Sequence, residues 1–158
     1  MGFQLESPDV FVRKGLSEDE LKHLIPSLRS VTKGYYVLRD CVSLGGLKHE
    51  LGFHFQPRTG GFLNELEFFS FDFPDLQTSF QTYQTHLEKT FDAPTESQPG
   101  DEGFPSHAWR SIPGVEIVHF IFDRFGRRNT LGSSGDAASQ PFSSARAVLG
   151  LLPPRAVL

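Results

Sequence analysis

The sequence predicts an α+β domain, in which an antiparallel sheet of about five to six meandering strands carries two main helices on one face. Three observations predict it. Residues 47–73 read as two strands around a Pro and Gly turn, and they hold seven of the sixteen phenylalanines. Two segments, opening at Ser17 and Asp75, place apolar residues at helical spacing. Apolar and β-branched runs follow one another across short turn-forming stretches, which favours antiparallel pairing of sequence neighbours. A chain of 158 residues has room for one core, and its 13% aromatic content supplies the filling. We divide it into an α+β domain over 1–131 and a flexible linker and tail over 132–158.

In chain order, Val10, Phe11 and Val12 suggest an edge strand. Ser17 and Glu20 form a capping box, with Leu16 and Leu21 as a hydrophobic staple. Leu21, Leu24, Ile25, Leu28 and Val31 continue at helical spacing, so the helical stretch is expected to run to about Lys33 and Gly34, either kinked at Pro26 or broken there into two short helices. A strand follows over 35–42. In the next strand Leu47, His49, Leu51, Phe53 and Phe55 share a core face, and Lys48, Glu50, Gly52 and His54 share a polar one. After the turn at 56–61, Phe62, Leu66 and Phe68 lie on one face, but Phe69, Phe71 and Phe73 lie on the other. A β-bulge at Phe68 and Phe69 is the favoured cause of this switch, and the alternative is a far half of the strand covered on both faces. The second helix carries Leu76, Phe80, Tyr83, Leu87 and Phe91 on one stripe. Residues 92–106 read as a long Pro and Gly loop, 107–110 as a short strand around Trp109, and 115–123 as a central strand apolar on both faces. The Gly, Ser and Ala composition of 132–139 reads as a linker. Phe142, Ala145, Val148, Leu149 and Leu152 suggest a short helix in the tail.

Fifteen basic and nineteen acidic residues give a formal charge of −4, which argues against general nucleic-acid binding. The single cysteine, Cys41, excludes an internal disulfide. Without a signal-like start or a long apolar run, the chain is expected to be soluble and cytoplasmic, with no membrane contact.

No motif in the sequence specifies a reaction. The six histidines lack metal-ligand spacing, and His49 and His119 fall on apolar faces as structural residues, so no metal or cofactor is expected. Cys41 and the serines lack the context of an activated nucleophile. Glu65 and Glu67 stand two apart on a strand and point the same way. With His54 on the neighbouring strand they could form an acid and base cluster, and the competing reading is a solvated sheet face. Arg124, Arg127 and Arg128 beside Phe125 form a basic cluster suited to an anionic partner. Glu96, Asp101 and Glu102 form an acidic loop suited to a basic one.

The expected function is therefore a non-enzymatic protein-binding module of the bacterial immunity or antitoxin type, with a toxin as the partner. Its contact residues would be Glu96, Asp101, Glu102, Arg124, Arg127 and Arg128. The competing expectation is a small-ligand binder or enzyme that uses His54, Glu65 and Glu67 with an arginine anion site.

Overall fold

The computed structural model describes residues 2–56, 61–70, 72–110, 115–123 and 143–150. Among them the chain forms ten strands and two helices. The first half runs β1 (Gly2–Leu5), β2 (Val10–Arg13), α1 (Glu18–Leu24), β3 (Arg29–Thr32), β4 (Tyr35–Ser43), β5 (Leu47–Gln56) and β6 (Phe62–Phe69). The second half runs α2 (Leu76–Phe91), β7 (Glu96–Pro99), β8 (Pro105–Trp109), β9 (Glu116–Asp123) and β10 (Ser143–Gly150).

The expected single meander of five to six strands is corrected to two antiparallel sheets. One has two strands, β1 and β2, and the other has eight, in the order β3-β4-β5-β6-β10-β9-β8-β7. Two four-stranded meanders, β3 to β6 and β7 to β10, are thus zipped together where β10 pairs with β6. Helix α2 carries the chain from β6 to the far edge. Sixteen residues of helix span roughly 24 Å, and the four strand steps to β7 need about 19 Å, so its length matches the crossing.

Besides β1, the extra strands come from three misread segments. The helix expected to reach Lys33 ends at Leu24, because Pro26 disfavours helical geometry at Ile25 and the chain leaves to form β3. The expected long loop contains β7, whose four residues are all exposed and so give no apolar signal. The tail helix expected over 141–152 is replaced by β10. Its Ala and Val positions fit either period, and the open edges of β6 and β9 supply the backbone partners that decide it. The start of α1 matches its caps: Ser17 accepts from the Glu20 amide at 3.3 Å and the Glu20 carboxylate accepts from the Ser17 amide at 2.8 Å. Such a cap stabilises a helix by about 1 kcal/mol.

The bulge expected at Phe68 and Phe69 lies earlier, where His54 and Phe55 face Glu65 and Leu63 and Asn64 is the extra residue. Consequently Phe62 is turned outward and Leu63 takes its place in the core. Phe68 and Phe69 continue the ordinary alternation and are both buried, one on each face. Phe71 lies outside the described residues.

Register assigns the two faces of the large sheet. One face carries Tyr36, Leu51, Phe53, Leu66, Phe68, Ile117, His119 and Ile121, all buried. The rest of the fold docks there. Lys22 of α1 lies over the Tyr36 ring and Glu18 accepts from its hydroxyl at 2.5 Å. Phe3 of β1 meets Phe68 edge-on, and Phe80 of α2 stacks on His119. The opposite face carries Tyr35, Val37, Gly52, His54, Glu65, Glu67 and Phe69.

Candidate functional site: a tyrosine, histidine and glutamate cluster

The polar cluster forms on this opposite face, and strand register builds it. Tyr35, His54 and Glu65 are successive cross-strand partners on β4, β5 and β6, and Val37, Gly52 and Glu67 make the adjacent row. Neighbouring strands bring side chains of one row to within about 5 Å of each other. His54 Nε2 lies 3.1 Å from Glu67 Oε2 and 3.9 Å from Glu65 Oε1. The Tyr35 hydroxyl donates to the same Glu67 oxygen at 3.1 Å. Tyr35 and His54 stack with centroids 4.3 Å apart and planes 23° off parallel.

Gly52 makes this convergence possible. A Cβ there would stand 2.8 Å from the Tyr35 ring and 3.3 Å from Glu67 Oε2, so any larger residue would displace the ring. The glycine forms the floor over which tyrosine and carboxylate meet. His54 Nε2 and the Tyr35 hydroxyl thus converge on one oxygen of Glu67. The carboxylate is buried at 7% exposure, while the His54 side chain is about a third exposed. The cluster therefore orients one imidazole and one phenol on a buried carboxyl group.

All three residues weighed as acid and base candidates, His54, Glu65 and Glu67, are thus brought together. Tyr35 was missed. It lies 32 residues from Glu67 in sequence, and its only signal was its place at the start of an aromatic strand.

Other chemically capable residues lie elsewhere and have structural roles. Ser43 Oγ donates to His49 Nε2 at 2.5 Å, and His49 Nδ1 bonds the Glu50 carbonyl at 2.9 Å. Cys41 Sγ donates to the His49 carbonyl at 3.1 Å. All three side chains are buried. Burial pushes the Cys41 thiol up to about 12 and lowers His49 to about 4, so thiol and imidazole are both neutral near pH 7. His119, fully buried beneath α2, bonds Gln84 Oε1 through Nδ1 at 2.8 Å, and burial lowers it to about 3.

The partner-contact candidates separate. Glu96 is taken by Arg110, which also binds Glu116 at 2.6 Å, in an exposed three-residue network. Asp101 and Glu102 sit in a 3-10 turn at the tip of the β7–β8 hairpin, both exposed, with Glu102 at φ 55°. Arg124, Arg127 and Arg128 lie outside the described residues. No helix among the described residues is long and apolar enough to cross a membrane. No family model, curated protein or solved structure matches the chain.

Proposed function

We propose that the chain is a non-enzymatic protein-binding module of the immunity or antitoxin type, and that the Tyr35, His54 and Glu67 cluster is its anchor. The observation that carries this reading is the stacked Tyr35 and His54 pair braced by a shielded carboxylate on the sheet face opposite the helices. Rigid amphipathic rings of this kind concentrate binding energy at interfaces. Glu65, with Asp101 and Glu102 on the hairpin, adds negative charge that suits a basic partner such as a nucleic-acid-cleaving toxin. Cys41, His49 and His119 offer no catalytic group, since all three are buried and neutral near pH 7.

The test is isothermal titration against the product of the adjacent gene. Micromolar or tighter binding is expected for the parent, with Tyr35→Ala weakening it by about thirtyfold, an ordinary hot-spot effect. An adjacent product that ignores the chain, or that binds both proteins equally, would count against this reading.

A second reading is favoured by the same convergence, because an imidazole with a carboxylate and a phenol is also an acid and base set. In it the site binds a small ligand. His54→Ala and Glu67→Ala should then abolish a thermal shift produced by some metabolite in a screen. Identical shifts in the parent and both variants would remove its support.

A further inference from the structure

Beside the cluster, on the side nearer the β4–β5 turn, a cavity of about 260 Å³ is lined by Arg39, Asp40, Lys48, Glu50, Ser70 and Asp72, among others. Two cations and three carboxylates thus surround one small volume. Among the described residues none of the five closes a salt bridge. Lys48 and Glu50 point the same way two residues apart on β5, while the irregularity between Leu38 and Cys41 holds Arg39 and Asp40, with Asp40 at φ 53°.

Three of the other lining charges, Arg39, Asp40 and Asp72, act on Glu50. Burial raises the Glu50 carboxyl above its ordinary value, Asp40 and Asp72 raise it further, and Arg39 and Arg29 oppose them. His49 also lines the cavity, but Ser43 and the Glu50 carbonyl occupy its nitrogens, so it serves as wall. Arg39, Asp40, Lys48 and Asp72 are exposed and Glu50 is half-buried, so charges of both signs line a hollow that a small ion can enter from solvent.

We propose that this cavity binds a small dipolar ion carrying one ammonium and one carboxylate group, the chemistry of a free α-amino acid. Arg39 and Lys48 receive the carboxylate, and Glu50, Asp40 and Asp72 receive the ammonium. A volume below the roughly 300 to 1,000 Å³ of sites for drug-sized ligands limits the occupant to a small molecule. Three carboxylates against two cations leave one negative charge in excess. L-lysine should therefore bind more tightly than glycine, and L-glutamate most weakly. This site is independent of any protein partner at the Tyr35 cluster.

Chemical-shift titration of the full chain tests it with L-lysine, glycine and L-glutamate, and with acetate and methylammonium as half-ligands. The expected result is saturation by the amino acids in that order, while neither half-ligand saturates at about 10 mM. Glu50→Gln and Arg39→Met should each weaken L-lysine by about tenfold or more, as loss of a charged hydrogen-bond partner does. Lys48→Met replaces Arg39→Met if that variant fails to fold. Saturation by methylammonium or acetate alone at the same strength would reduce the cavity to a single-ion site and overturn the inference. Failure of every amino acid to saturate at about 10 mM, or variants that bind like the parent, would overturn it too.

Discussion

His49 and His54 stand on the same strand, five residues apart, and that odd spacing sends them to opposite faces of the sheet. His49 enters the core, where Ser43 and the Glu50 carbonyl satisfy both nitrogens and burial lowers its basicity to about 4. His54 stays at the surface, stacked on Tyr35 and bonded to Glu67. The same side chain is thus a neutral packing group on one face and an oriented, solvent-reachable ring on the other. Residue type alone carries little functional meaning in this sheet; the parity of the position carries most of it.

The largest expected effect contrasts neighbours across that divide. Phe53→Ala removes a fully buried ring from the centre of the core and should cost about 3 to 5 kcal/mol in urea denaturation. The adjacent His54→Ala, on the other face, removes one bond to Glu67 and should cost only about 1 to 2 kcal/mol. Equal losses would mean that both faces are packed alike.

Acid should expose the core histidines next. Their folded values lie below the ordinary 6.5, at about 4 for His49 and about 3 for His119, so the unfolded chain takes up protons first as pH falls. Their contribution to stability is complete above pH 6.5 and is lost as pH falls through the folded values. The slope is about 1.4 kcal/mol per pH unit for each histidine within its window. Urea melts at pH 7, 6 and 5 measure it, and His49→Gln should remove about half of the slope. A flat profile would show that these rings are not buried neutral.

A smaller effect should sharpen the opposite face. Gly52→Ala puts a methyl group against the Tyr35 ring and should break the Tyr35 to Glu67 bond, at a cost of about 1 kcal/mol. The His54 imidazole signals should shift in NMR spectra while those of His49 stay in place. Movement of both would mean that the faces are coupled. The smallest effect belongs to Arg110→Ala. Its bonds to Glu96 and Glu116 are exposed, so its urea midpoint should match that of the parent within error.

The parts legible in the sequence were those with a local cause. The Ser17 and Glu20 capping box, the Leu76 to Phe91 stripe and the two-residue alternation of β5 are each written within a few neighbouring residues. The alternation also placed His49 and His119 in the core and aligned Glu65 with Glu67. Edge strands β3 and β7 were illegible because all eight of their residues are exposed, which removes the apolar period that reveals a strand. The bulge was misplaced for a related reason. Phe68 and Phe69 looked like a change of facing, but both faces bury an aromatic there, and the extra residue is the unremarkable Asn64.

What the sequence by itself determined was which residues share a face within each element, since backbone geometry sets periods of 2 and 3.6 whatever the partners. Only the tertiary structure decided which elements became neighbours. Ala147 and Val148 would serve a helix or a strand, and pairing with both β6 and β9 made them a strand. Tyr35 reached Glu67 because the β4 and β5 registers laid them across Gly52, a meeting set by hydrogen bonds between strands far apart in sequence. Pairing of this kind depends on which backbone edges remain unsatisfied after the rest of the chain has folded, and no short window of sequence contains that information.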